Sequence, residues 1–420
     1  MSVDILREHR TSTLAFNTWM PVLCCLAFCI IALTLIVTQD YPGYMDELEH
    51  VSYAAFLQET GRWLPKFELQ KTLVIADMGQ WQDRANYLGH PSPFYLFIGR
   101  FLDRSLPPFQ AILPLRLASA ALVLTGVILA LLAGRRHFMQ DRLAAPVFCL
   151  LLALCPALLA ISGQVTNDSL AFLGGALAYW GASTADRRRW LGLGGIVPGL
   201  VFVLWAKPNA GMAVGIWLGT FALLRGLIRT PLTLAIALGL AVGSIPYLFI
   251  LRDYGALVPV TGEQFGHYHV LDSFARYLPA FLVNIGYTWS FSRTGTWPIT
   301  SWAGLIAPAL FWMMIACAAV GGVAGINGVV ARGRLWTPRD AIAAAGVVAF
   351  AVVLPIHLWF SATRLGFSLP AASFRYYLPI WPVLVHALAY SIAIARNRWR
   401  RVLVASISVA ALIVGWVSPV

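Results

Sequence analysis

Apolar runs of roughly 17 to 25 residues recur along the whole chain, separated by short polar or basic intervals. Each is long enough to carry a helix across the hydrocarbon core of a bilayer. The pattern predicts about eleven spanning helices, at 19–38, 111–134, 143–161, 169–184, 190–206, 209–226, 231–251, 300–323, 341–360, 375–394 and 402–418. The first follows a basic stretch with Arg7 and Arg10 and lacks a small-residue cleavage pattern, so it is expected to stay as a helix. The expected fold is an all-α polytopic membrane protein, one integral domain over residues 1–420, with extracytoplasmic loop regions at 39–110 and 252–299.

The stretch from Pro91 to Arg104 is apolar but different in kind. Its thirteen or so residues reach only about 20 Å as a helix, short of the roughly 30 Å needed. Phe94, Phe97, Ile98, Phe101 and Leu102 recur at helical spacing, opposite Arg100, Asp103 and Arg104. The periodicity predicts a helix lying in the membrane interface, capped by Ser92 with Pro93 in its first turn.

Charge supports that reading. With this segment left outside the count, Arg7, Arg10, Arg135, Arg136, Arg142, Arg187 to Arg189, Arg225, Arg229, Arg332, Arg334, Arg339, Arg396, Arg398, Arg400 and Arg401 all fall on the cytoplasmic side, as the positive-inside rule requires. Counting it as a span would place the later clusters outside. The same topology sends 13 of the 18 acidic residues to the outer face, so chemistry is sought there.

Composition narrows the class further. With 59% hydrophobic and 11% charged residues, lipid is the main solvent. The net charge of +12 is spread in short clusters between spans, which argues against nucleic acid as a partner. The cysteines Cys24, Cys25, Cys29, Cys149, Cys155 and Cys317 all lie in apolar runs, with no metal-ligand spacing or disulfide framework.

The sharpest polar signal is Met45-Asp46-Glu47-Leu48-Glu49-His50, just after Pro42 and Gly43. On a helix from Asp46 to about Thr60, stopped by Gly61, the side chains of Asp46, Glu47 and His50 share a face. A helix start that favours acids through its dipole would look the same. His90, before Pro91-Ser92-Pro93-Phe94-Tyr95, and Asn167 with Asp168, in a polar turn from Ser162, are the other outer candidates. Lys207 and Arg375 sit at predicted outer helix ends, where snorkelling is the plain alternative. The aromatic stretches Gly262 to His269 and Tyr287 to Phe291 read as an interfacial belt or a sugar-stacking surface. His267 and His269 have no third ligand in view.

Taken in order, these segments resemble the GT-C superfamily of membrane glycosyltransferases, which includes protein O-mannosyltransferases and lipid A aminoarabinose transferases. The likeness lies in the Asp46-Glu47 start with His50, Tyr53-Ala54 and Gly61-Arg62-Trp63-Leu64-Pro65. It continues in His90-Pro91-x-Pro93-x-Tyr95, the Ser162 to Asp168 turn, and Arg375-Tyr376-Tyr377-Leu378-Pro379. It covers residues 40–210 well and the remainder loosely.

The resemblance implies a GT-C-like fold in the bacterial inner membrane and an active site facing the periplasm or cell exterior. It implies a sugar donor linked to polyprenyl phosphate and a glycan, lipid or protein acceptor. Asp46 would then be the catalytic base, with Glu47 and His50 orienting the base or acceptor, and Asp168 near the sugar. Lys207 and Arg375 would stabilise the departing phosphate. His90, Tyr95, Asn167 and Tyr376 would contact substrate. No metal or other cofactor is assigned, although some members of the superfamily use a divalent ion. Over these 420 residues no added soluble domain of the kind some members carry is expected, so acceptor recognition is expected to come from the loops. A transporter or lipid flippase is the rival reading; it would need ionisable residues near mid-membrane, where His386 is the clearest candidate.

Overall fold

A computed structural model of the chain describes residues 2–43, 46–64, 66–86, 88–227, 230–257, 273–290, 302–330, 336–364 and 373–417. Met45, Pro65, Arg229, Gly262 to His269, Phe291, Arg332 and Arg334 lie outside the described residues.

In chain order the elements begin with α1 (Ser2–Thr38), α2 (Glu47–Thr60), strands β1 (Lys71–Val74) and β2 (Asp77–Ala85), and α3 (Pro93–Gly99). They continue with α4 (Pro108–Phe138), α5 (Ala144–Ala153), α6 (Pro156–Ser162), α7 (Asp168–Thr184), α8 (Arg189–Ala206) and α9 (Pro208–Leu224). Then come α10 (Pro231–Tyr254), α11 (Phe274–Thr288), α12 (Trp302–Val330), α13 (Pro338–Arg364), a 3-10 segment (Phe374–Ile380), α14 (Trp381–Ile394) and α15 (Arg398–Val417).

Among the described residues, nine helices are long and apolar enough to cross a membrane, counting α5 with α6, and the 3-10 segment with α14, as single spans. The other two expected spans coincide with α7 and α9, which at 17 residues are shorter than those nine. Pro156 breaks α5 from α6 because it has no N–H to continue the ladder. The carbonyls freed at the break accept instead from indoles, Leu151 from Trp381 at 3.1 Å and Leu154 from Trp416 at 3.0 Å. In lipid an unpaired carbonyl has no water to turn to, so these contacts stabilise the kink.

Ion pairs show which loops share an end of the bundle. Arg375 meets Asp46 and Lys207 meets Asp168, joining loops assigned to the outer end. Arg225 meets Asp186 and Arg401 meets Asp141, joining loops assigned to the inner end. Were the segment near residue 93 a span, Asp46 and Arg375 would lie on opposite sides of the bilayer. At seven residues α3 extends only about 10 Å.

Three details differ from the sequence expectation. The helix near residue 93 is shorter than Pro91 to Arg104, and Ser92 does not cap it, because its hydroxyl donates to the Trp63 carbonyl. Phe94, Ile98 and Leu102 are buried, whereas Phe97 and Phe101 stay exposed and meet edge to face at 5.6 Å. The outer regions also hold elements that were read as loop. An antiparallel hairpin, β1–β2, docks on α2 through the Leu73 N–H and the Ser52 hydroxyl, at 2.9 Å. The second region contains α11.

Small residues set the tightest helix contact. On Gly174 of α7 a Cβ would come within 2.6 Å of the Gly199 carbonyl of α8, so the two backbones touch. At Gly175 a Cβ would lie 1.8 Å from the Pro379 carbonyl. Only glycine allows the 3-10 segment carrying Arg375 and Tyr376 to sit against α7.

Candidate active site

Seven segments meet at the end of the bundle assigned to the outside. The acidic start of α2 is fixed by Glu47, which is fully buried and pairs with Arg116 of α4 through both carboxylate oxygens, at 2.8 and 2.7 Å. Glu47 also accepts from the N–H groups of Gly43 and Val165, at 2.6 and 2.9 Å. Arg116 donates further to the carbonyls of Ile36, Gln39 and Asp40. One ion pair thus ties together the end of α1, the start of α2, α4 and the turn before α7. Every partner is satisfied, which offsets the desolvation cost of burying two charges.

Asp46 points elsewhere. Its backbone is left-handed (φ 65°, ψ 27°), a conformation that costs a non-glycine residue energy but that aspartate tolerates better than most. This twist separates it from Glu47, and its Oδ2 lies 3.2 Å from the Arg375 guanidinium. The pair is partly accessible, with side-chain exposures of 29% for Asp46 and 16% for Arg375. Glu47 therefore stands apart from the residues with which the helical spacing grouped it.

Around Asp46 and Arg375 the other candidates converge. Lys207, at the end of α8, donates to Asp168 at 2.7 Å. It is held there because the Asn167 amide donates to the Ala206 carbonyl at 2.8 Å, tying the turn before α7 to the end of α8. The Tyr376 ring lies under both cations, 5.2 Å from the Lys207 ammonium and 5.5 Å from the Arg375 guanidinium carbon. Two carboxylates and two cations thus interleave around one ring. Arg375 Nε and Asn167 Oδ1 are enclosed and have no hydrogen-bond partner.

The aromatic motifs build the wall beside them. Tyr95 of α3 makes a 2.9 Å hydrogen bond with His50 Nδ1. Tyr53 of α2 donates to the His90 carbonyl at 2.9 Å and packs on the Tyr95 ring at 4.2 Å. Burial lowers the His50 pKa to about 3, with Lys207 and Arg375 adding to the shift and Asp46 and Asp168 opposing it. Burial likewise raises the Tyr95 pKa well above its usual range. Both groups are therefore neutral, and the direction of the bond between the Tyr95 hydroxyl and His50 Nδ1 is set by the imidazole tautomer. His90 is half-buried, its Nδ1 enclosed without a partner, and burial lowers its pKa as well.

No protein-family model matches the sequence, and no curated protein matches it. Two solved structures are similar to this chain. One is ArnT from Cupriavidus metallidurans in the apo state, with a TM-score of 0.44 and 16% identity over 94% of this chain and 78% of that one. The other is ArnT from Cupriavidus metallidurans bound to undecaprenyl phosphate, with a TM-score of 0.43 and 15% identity over 92% of this chain and 77% of that one.

Several residues that shape the site were not singled out in the sequence. Arg116 is the foremost; its signal was a lone arginine inside an apolar span. Arg84 is another, meeting Glu49 at 2.7 Å beside the start of α2. Burial and the nearby Asp46 charge raise the Glu49 pKa, and Arg84 opposes them. His386 is hydrogen-bonded at both ring nitrogens, to the Tyr179 hydroxyl at 2.9 Å and the Arg339 carbonyl at 3.1 Å.

Proposed function

We propose that this protein is a membrane glycosyltransferase that moves a sugar from a polyprenyl-phosphate-linked donor to an acceptor hydroxyl at the extracytoplasmic face. The observation that carries this reading is the interleaving of Asp46, Arg375, Asp168 and Lys207 around Tyr376, at the end of the bundle opposite the arginine-rich loops. A transfer of this kind needs a base for the attacking hydroxyl and cations for the leaving phosphate, within reach of one lipid-anchored substrate.

Asp46 takes the proton of the acceptor hydroxyl as its oxygen bonds to the anomeric carbon. The bond from that carbon to the phosphate oxygen breaks, and polyprenyl phosphate departs with the electron pair. Arg375 and Lys207 stabilise the charge that grows on this oxygen, an effect strengthened in a site shielded from water. Their existing pairing with carboxylates holds them in place before substrate arrives. Asp168 keeps Lys207 oriented, and neutral His50 offers a hydrogen-bonding group without adding charge. Glu47 acts at one remove, by fixing the backbone from which Asp46 projects.

The test is a mass-spectrometric comparison of envelope glycans and lipid-linked sugars in a deletion strain complemented with wild type or Asp46→Asn at equal protein levels. The expected result is that Asp46→Asn matches the deletion and that one sugar is missing from both. A wild-type profile from Asp46→Asn overturns the assignment of the base.

A further inference from the structure

The inner end of the bundle holds a polar feature with no part in the proposed transfer. A cavity of about 300 Å³ opens between the last turn of α4, the α7–α8 connection and the start of α13. Its walls include Arg136, His137, Ser183, Arg187 and Arg339, and Asp186 is the one carboxylate among its lining residues. Asp186 is already paired with Arg225 at 2.5 Å. Arg136 donates to the neutral Thr184 hydroxyl, at 2.5 Å. Among the described residues, none of the three lining arginines has an ion pair.

The walls also carry enclosed polar atoms without a hydrogen-bond partner: His137 Nε2, Ser183 Oγ and Arg339 Nε. Ser183 is itself only 8% exposed. Buried polar atoms are nearly always satisfied, and each one left unmade costs free energy. Arg136 and Arg187 are exposed at the rim, and Arg339 is half-buried over the Phe138 and Tyr390 rings, at 4.9 and 5.2 Å. Water could partner the hydroxyl and the imidazole, but it brings no charge to set against the three guanidinium groups. An anion does both. Planar guanidinium forks match phosphate oxygens in particular, and 300 Å³ lies at the lower end of the range for small-ligand pockets.

We propose that this inner cavity binds a phosphate group, presented either by an anionic lipid headgroup of the inner leaflet or by a soluble phosphate ester. It is separate from the outer cluster: Asp168 and Ser183 stand near opposite ends of α7, about 22 Å apart along the helix axis.

Purified full-length protein tests both sources. Inorganic phosphate, titrated against chloride at constant ionic strength with melting temperature as the readout, probes the soluble one. Native mass spectrometry with phosphatidylglycerol against phosphatidylcholine probes the lipid. The expected result is that at least one phosphate probe binds selectively, and that Arg187→Gln and Arg339→Gln each weaken it about tenfold. The double variant Arg398→Gln/Arg400→Gln, which removes two exposed cations from the same face outside the cavity, should leave binding unchanged. Selectivity for phosphatidylglycerol alone assigns the lipid headgroup, and a response to inorganic phosphate assigns the soluble ester. If Arg339→Gln fails to fold, Arg187→Gln combined with Ser183→Val takes its place. The proposal is overturned if neither probe is preferred over its control, or if the surface double variant loses as much binding as the cavity variants.

Discussion

Asp46 and Glu47 are adjacent acids, and each meets an arginine, yet the two pairs have opposite characters. Glu47 and Arg116 are fully buried and satisfied on every side, in a knot that joins four segments. Asp46 and Arg375 are partly open, 3.2 Å apart, and set on a left-handed backbone residue. A carboxylate with all its lone pairs committed is a structural element. One that is strained, accessible and beside enclosed unpartnered atoms is available to a substrate. Neighbouring positions in a sequence can thus divide these tasks.

The sharpest way to break this contrast is to neutralise each pair in turn. Asp46→Asn should lower kcat by about 10²- to 10⁴-fold while leaving the melting temperature of the purified protein unchanged. Arg116→Met should do the reverse at the level of folding. It leaves Glu47 charged and buried without its partner, a loss of roughly 3–5 kcal/mol read as a lower melting temperature and reduced yield. Adding Glu47→Gln to Arg116→Met should recover much of that loss. If Arg116→Met proves as stable as wild type, the knot is not what holds α2.

A smaller effect is expected from Gly175→Val. The side chain has no room beside the Pro379 carbonyl, so the segment bearing Arg375 and Tyr376 must shift. The cost should be about 1–3 kcal/mol, with a fall in activity larger than the same stability loss produces elsewhere in the bundle. Unchanged activity would show that Arg375 does not need this close approach.

The last effect concerns pH. The folded His50 stays neutral down to about pH 3, whereas in the unfolded chain it takes up a proton below its ordinary value near 6.5. Protons then favour the unfolded chain, so stability should fall as pH is lowered from about 6.5 towards 3 and be flat above 7. Melting temperature followed over this range should lose part of its slope in His50→Gln. An equal slope in that variant would mean that other groups carry the acid sensitivity.

Much of this architecture could be read from the chain because bilayers demand long apolar runs, and α2 could be bounded because Gly61 ends it in a left-handed cap. The hairpin could not. Its second strand, Asp77-Met78-Gly79-Gln80-Trp81-Gln82-Asp83-Arg84-Ala85, buries only Met78, so there is no alternation to detect. The 15-residue α11 was too short to register as a span and holds Pro279 within it. At the site, the residue types were legible, and the structure brings Asp46, His50, Tyr95, Asp168, Lys207, Arg375 and Tyr376 together at one end of the bundle. The destination of Glu47 was not. Its partner lies in another helix, and the left-handed turn at Asp46 that separates the two acids leaves no mark on helical spacing.

The close fit of Gly175 against Pro379 also bears on how the molecule comes into being. Asp46, Asp168 and Lys207 all emerge from the ribosome in the first half of synthesis, and the α7–α8 hairpin can form as soon as it is made. Arg375 and Tyr376 arrive only near the end of translation and must then dock into a slot already built for them. Until that late insertion the cluster is limited to Asp46, Asp168 and Lys207, so the arrangement of four charges around Tyr376 is completed only by the closing steps of assembly.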